Sequence, residues 1–125
     1  MPISYSTDPD FGFVHTKCAG EVTLQEVLGH FGVLGAYPTL PARVNVLLDM
    51  AEMESLPESR QLLTVVNEIR RLSSRVEWRA CAIVATSDAL FGMSRMFEVF
   101  AEQQFARTRV FRDLSMARNW LIQGS

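Results

Sequence analysis

Three carboxylates, Asp49, Glu52 and Glu54, stand directly after the apolar run Val44-Asn-Val-Leu-Leu48. Two neighbouring acids can divide general acid and base work when burial splits their pKa values. Burial is not legible in a sequence, and the expected reading of Asp49, Glu52 and Glu54 is a solvated loop. The other reactive side chains are scattered. The two histidines, His15 and His30, have no acid or cysteine at metal-ligand spacing, which points to structural or surface roles. Ser87 precedes Asp88 outside any Gly-x-Ser-x-Gly elbow, so helix capping explains it better than nucleophilic catalysis. Cys18 and Cys81 lie in apolar strand-like runs and read as buried free thiols. Gly29, Gly32 and Gly35 lie inside a helical pattern rather than between a strand and a helix, which argues against a phosphate loop. No catalytic residue, metal or cofactor is therefore expected.

The elements that would position these groups follow from periodicity. Ile3–Ser6 and Phe11–Cys18 read as two strands of a hairpin, joined by the turn residues Thr7-Asp-Pro-Asp10. Thr23 and Glu26 have capping-box spacing, and Leu24, Val27, Leu28 and Phe31 form a one-sided helical stripe. The three glycines of that helix imply close packing on a neighbour, or fraying towards Tyr37-Pro38. Arg43–Asp49 is a short apolar run ending in an acid, as a strand buried on both faces would be. In open α/β sheets, sites gather just past the carboxyl ends of such strands. Ser55 and Glu58 repeat the capping-box spacing before a stripe of Leu62, Val65, Val66, Ile69, Leu72 and Val76. Arg79–Ala85 is a second buried strand, and Thr86-Ser-Asp88 caps a helix reaching to about Gln104. Thr108–Arg112 alternates in polarity like an edge strand, and Asp113 caps a final helix whose inward stripe is Leu114, Ala117, Trp120 and Leu121. The order β-β-α-β-α-β-α-β-α predicts an α/β fold. It has a mostly parallel five-stranded sheet, an antiparallel N-terminal hairpin and about four helices.

Composition narrows the function classes. The chain has 125 residues, which fits one domain spanning 1–125. Net charge is −2 with acids and bases intermixed, so no basic stripe suggests nucleic acid. No window has the ~18 apolar residues of a membrane helix, and the first residues lack the pattern of a signal peptide. The expected location is the cytoplasm, without integral membrane insertion. One helix face stands out: Met93, Met96, Phe97 and Phe100 recur at i, i+3, i+4 and i+7, with Phe91 and Val99 pointing elsewhere. Met and Phe surfaces are adaptable, suiting core, a dimer contact or an apolar pocket.

Several local patterns resemble the SpoIIAA-like branch of the STAS domains. The segments are Val44–Asp49, Ala82-Ile-Val-Ala-Thr-Ser-Asp88, Phe91-Gly-Met-Ser-Arg-Met-Phe97 and Val110-Phe-Arg-Asp-Leu-Ser-Met-Ala-Arg-Asn-Trp-Leu121. The resemblance implies a STAS/SpoIIAA-like fold over essentially the whole chain. In the anti-sigma antagonists of that family, a serine at the start of the helix after the central strand is phosphorylated within a motif close to Asp-Ser-Ser-Gly. Here the corresponding residues are Leu56-Pro-Glu-Ser-Arg60, which places Glu58 or Ser59 at the switch position and breaks the motif. The branch is also associated with an apolar groove similar in architecture to CRAL-TRIO domains, which would give Phe91, Met93, Met96, Phe97 and Phe100 a purpose. The leading expectation is a non-enzymatic STAS-like regulatory or protein-interaction module, self-associating as a homodimer, whose protein partner the sequence does not name. The alternative is a carrier or sensor of a small apolar, lipid-like ligand beside the Met93–Phe100 helix.

Overall fold

The computed structural model describes residues 3–8, 13–36 and 43–124. Strands β1 (Ile3–Asp8) and β2 (Phe13–Gly20) pair antiparallel, as expected. They are followed by α1 (Leu24–Ala36), β3 (Arg43–Met53), α2 (Ser59–Leu72), β4 (Glu77–Val84), α3 (Asp88–Phe100), β5 (Arg107–Phe111) and α4 (Leu114–Gly124). The turn expected near Pro9 and Asp10 and the helix stop expected at Tyr37-Pro38 lie outside the described residues.

The five strands lie in chain order, β1-β2-β3-β4-β5, with every pairing after the first parallel. Each crossover from β2 onward moves in the same direction, so a uniform right-handed rule puts their helices on one face. The packing agrees. Phe31 of α1, Leu62, Val65, Val66, Ile69 and Leu72 of α2, and Leu90 and Phe97 of α3 bury against Val14, Val46, Cys81 and Ile83 of the sheet. Helix α4 covers the opposite face, where Ala117 and Leu121 meet Leu47, Ala80, Ala82 and Val84. Strand β4 is thus apolar on both sides, which is why its sequence is a near-continuous run. Fully buried side chains such as Phe31, Ile69, Leu72 and Ile83 each contribute roughly 1.5–3 kcal/mol of burial.

Two bulges adjust the sheet. From Val44↔Trp78 to Val46↔Cys81, β4 advances one residue more than β3, and the Ala80 amide, displaced from its ladder, donates to the Asn45 side chain at 3.0 Å. Trp78 and Cys81, three apart, therefore both join the large cluster, and the Trp78 indole donates to the Ile69 carbonyl at 3.1 Å. The second bulge lies between Lys17↔Asp49 and Ala19↔Glu52, with the extra residue on β3.

Four local expectations change. The central strand does not stop at Asp49 but continues through Met53, paired with Ala19 and Gly20 of β2, so the expected Met50–Glu54 loop is mostly strand. Ser55 is not a helix cap: its hydroxyl bridges the Val22 backbone, accepting from N–H at 3.0 Å and donating to the carbonyl at 3.3 Å. Glu58 is the N-cap of α2, and its amide donates to Gln61 Oε1 at 2.8 Å. Close packing of the α1 glycines is not found at Gly29 or Gly32, where an added Cβ would meet open space. Helix α3 ends at Phe100, and its N-cap Ser87 accepts from the Leu90 amide at 3.2 Å. The Thr23–Glu26 box and the Asp113 cap form as expected: Glu26 N–H donates to Thr23 Oγ1, Thr23 N–H to Glu26 Oε1, and Met116 N–H to Asp113 Oδ1.

Candidate ligand cavity

A cavity of about 370 Å³ lies between the sheet and its three-helix layer. It sits at the carboxyl ends of the parallel strands, bounded by the first turns of α1, α2 and α3, where open α/β sheets commonly place ligands. At liquid water's share of about 30 Å³ per molecule, it has room for about a dozen water-sized groups, within the range of small-molecule sites. The floor is Leu48 and Ile83, and Leu24, Val27 and Phe31 of α1 form one wall. Val65 of α2 and Met93 and Phe97 of α3 close the far side. Met50 and Met53, from the overhanging end of β3, complete the lining near Leu56, which is half exposed.

Among the described residues, no Asp, Glu, Lys or Arg lines this space. Its polar groups are few. His30 is buried and its Nε2 lies 2.8 Å from Thr16 Oγ1, a single hydrogen bond whose donor depends on the imidazole tautomer. Burial without a counter-ion lowers the His30 pKa from 6.5 to about 4, which keeps the ring neutral at physiological pH. The ring also continues a chain of aromatic contacts, 5.4 Å from Tyr5 and 5.5 Å from Phe31, and on to Trp78 and Phe105. The Cys18 thiol is pushed up to about 11, first by burial and then by the charges of Asp49 and Glu26, so it is a thiol rather than a thiolate. Burial likewise pushes up the thiol of Cys81, and both cysteines are unpaired. The Ser94 hydroxyl stands apart. Its residue borders the cavity and is 3% exposed, but the hydroxyl oxygen itself is closed off from the space and has no hydrogen-bond partner.

The apolar residues expected at a pocket separate into three groups. Met93 and Phe97 line the cavity. Phe91 and Phe100 are half-buried and pack on the core beside it, with the Arg112 guanidinium 4.1 Å above the Phe91 ring. Met96 is exposed and faces outward. The buried stripe of α3 is therefore Leu90, Ser94 and Phe97, one position offset from the Met93–Met96–Phe97–Phe100 face expected from spacing. Thr16, His30 and Ser94 border the cavity without any spacing in the sequence that marks them as site residues. The available signal was a serine three and four positions from Phe97 and Leu90, a polar interruption in an apolar stripe.

Two of the expected acids, Asp49 and Glu52, pair with His15 and Lys17 on the opposite face of the sheet. Asp49 is buried rather than solvated: Oδ2 lies 3.2 Å from His15 Nε2, and Oδ1 accepts the Ala51 amide at 3.2 Å. Ala51 belongs to the β3 bulge, so the carboxylate satisfies an amide that the bulge removes from the ladder. Glu52 is exposed and pairs with Lys17, and Glu54 is exposed. Glu58 and Ser59 lie exposed at the start of α2, with the Glu58 carboxylate 2.9 Å from Arg60. Among the described residues, no three His, Cys, Asp or Glu side chains gather as a metal-ligand set, and no helix is long and apolar enough to cross a membrane.

Comparison with solved structures identifies the architecture. An uncharacterized protein of the DUF3478 family from Shewanella loihica, described as having a SpoIIAA-like fold, matches with a TM-score of 0.59. The match covers 95% of this chain and 91% of that one, at 18% sequence identity. The fold is SpoIIAA-like. In this SpoIIAA-like chain the sequential sheet, the N-terminal hairpin and the four helices are those expected from the sequence. No protein-family model matches the chain, and no curated protein matches it in sequence.

Proposed function

We propose that this SpoIIAA-like domain is a non-enzymatic cytoplasmic carrier or sensor that holds a small apolar ligand in the cavity between α1, α2, α3 and the sheet. The observation that carries this reading is an apolar space of about 370 Å³ where a close-packed core would otherwise leave few voids larger than a water molecule. Its lining includes three methionines, Met50, Met53 and Met93, whose unbranched side chains adapt to the shape of an occupant. The apolar groove associated with this branch of the STAS domains supports the same reading, and two unpaired buried cysteines suit a reducing compartment. Native mass spectrometry of the freshly purified protein tests it. A carrier retains a mass adduct that organic extraction removes. A protein that is adduct-free as purified, and that binds no apolar probe afterwards, ends the reading.

The alternative, a self-associating interaction module, is favoured by a different observation. Met96 and Val99 on the outer side of α3, and Leu63 on α2, are 38%, 63% and 48% exposed. In a homodimer these residues would be covered. Light scattering on the wild type and on Val99→Glu separates the readings, because an interaction module becomes monomeric in the variant and a monomeric carrier is unchanged.

A further inference from the structure

The sheet order leaves β5 at an edge. Its residues pair with β4 on one side and, among the described residues, with no strand on the other. An open edge presents backbone N–H and C=O groups to any extended chain that can lie beside it. Arg107 and Arg109 are both exposed and stand two apart on β5, so their side chains share one face of that edge. Other arginines pair with acids close by in the chain or across a loop: Arg60 with Glu58, Arg79 with Glu77, Arg95 with Glu98 and Arg112 with Asp88. Among the described residues Arg107 and Arg109 have no carboxylate partner, and aromatic rings hold them instead. The Arg107 guanidinium lies 4.5 Å from the centroid of the Trp120 ring on α4, and that of Arg109 lies 5.3 Å from the Phe111 ring. The Phe111 and Trp120 rings pack on each other in turn, 5.7 Å apart. Stacking restrains a guanidinium through its face and leaves its in-plane N–H donors for a carboxylate.

A second copy of this chain is a poor occupant, because pairing β5 with β5 would set like charges opposite each other. Nucleic acid fits poorly too: the net charge is −2, two arginines do not make a basic stripe, and a phosphate backbone has no strand to offer an open edge. We infer that the β5 edge is a docking site for an extended acidic segment of another protein. That segment adds as a further strand, and its carboxylates at alternate positions, about 7 Å apart in an extended chain, meet the forks of Arg107 and Arg109. Main-chain bonds supply affinity and the two arginines select acidic side chains. The site lies on the α4 side, across the sheet from the cavity, and does not depend on the apolar-ligand reading.

Fluorescence anisotropy of the full chain with a fluorescein-labelled Thr-Glu-Val-Glu-Val-Glu-Thr peptide tests this at low ionic strength. The comparison probes carry Gln for each Glu, or Pro for each Val, and the last is a short oligothymidylate. The Gln peptide is expected to bind at least about tenfold more weakly, as loss of charge-assisted hydrogen bonds implies. The Pro peptide keeps its charges but loses strand N–H groups, and should weaken by a similar factor. Arg107→Gln and Arg109→Gln should each weaken the Glu peptide about three- to tenfold, and together leave it no tighter than the Gln peptide. Arg60→Gln, on α2, should change nothing. Circular dichroism confirms that each variant is folded. Equal binding of the Gln peptide, or binding that survives the double substitution, overturns the inference. Equal binding of the Pro peptide overturns strand addition, tighter binding of oligothymidylate assigns the arginines to phosphate instead, and absence of binding by the Glu peptide overturns the site. None of these results bears on the cavity, which native mass spectrometry tests separately.

Discussion

His30 offers a quantitative test of the cavity's polarity. The residue is 6% exposed, and its imidazole is held by one hydrogen bond from or to Thr16 and has a pKa lowered from 6.5 to about 4 by burial. Above pH 6.5 neither the folded nor the unfolded chain carries the proton, and His30 contributes no pH dependence. As pH falls below 6.5, the unfolded chain takes up a proton that the folded chain refuses, so stability is lost until the folded ring titrates near pH 4. At 1.36 kcal/mol per pKa unit, the full loss is about 3 kcal/mol. Carboxylates titrate in part of the same range, so the informative quantity is the difference between wild type and His30→Gln. The amide of the variant can still hydrogen-bond Thr16 but has no proton to gain. Urea unfolding followed by far-UV circular dichroism, repeated between about pH 7.5 and about pH 4, gives that difference by linear extrapolation. The wild type should lose about 3 kcal/mol more than the variant over the window. A flat difference would refute the reasoning, since it would mean that the ring is hydrated or already paired with a charge. A difference of opposite sign would mean that the fold stabilises the imidazolium.

Further consequences concern packing, the bulge and the thiols. Ile69→Ala removes a fully buried side chain from the centre of the three-helix layer and should cost about 2–5 kcal/mol. Leu63→Ala, on the same helix but 48% exposed, should cost under about 0.5 kcal/mol in the same urea assay. Asp49→Ala strips a partner from both His15 and the Ala51 amide. It should cost about 1–3 kcal/mol, and Asp49→Asn, which keeps the acceptor for Ala51, should cost less. Cys18 and Cys81 should resist Ellman's reagent in the native protein at mildly alkaline pH and react together once denatured, because burial keeps both protonated. Rapid native reaction of either thiol would show that the layer over the sheet opens.

Much of the architecture was legible because it follows from patterns that burial imposes on sequence. The stripe from Leu62 to Leu72 marked α2. The near-continuous run Arg79–Ala85 marked a strand covered on both faces, and Thr23–Glu26 and Asp113 marked helix starts through cap chemistry that needs only local residues. What failed depended on partners distant in sequence. Ser55 and Glu58 have capping-box spacing, yet Val22, 33 residues earlier, takes the serine. Asp49 reads as a solvated acid until His15 of the neighbouring strand is placed beside it. The cavity was less legible still, since Thr16, His30 and Ser94 come from β2, α1 and α3, and the face of α3 could be assigned only to within one residue.

The misread loop and the methionines that β3 adds to the cavity wall have one physical origin. Charged residues at Asp49, Glu52 and Glu54 make that stretch look solvated, and Glu52 and Glu54 are indeed exposed. The bulge after Asp49 shifts the alternation of side chains, so that Met50 and Met53, three apart rather than two, both face the helix layer and line the cavity. Regular strand alternation would send one of them to the acidic side. The Asp49 carboxylate satisfies the Ala51 amide freed by that bulge, and the Lys17–Glu52 pair lies across its other end. An acid that resembles a catalytic candidate in the sequence therefore acts on the opposite face, by holding the backbone distortion that turns two methionines into part of the cavity wall. The same logic links the Asp49 substitutions to ligand binding. Asp49→Ala should weaken binding of N-phenyl-1-naphthylamine, a neutral dye that brightens in apolar surroundings, as well as stability, and Asp49→Asn should largely retain both. Loss of stability with dye affinity unchanged would separate the bulge from the site.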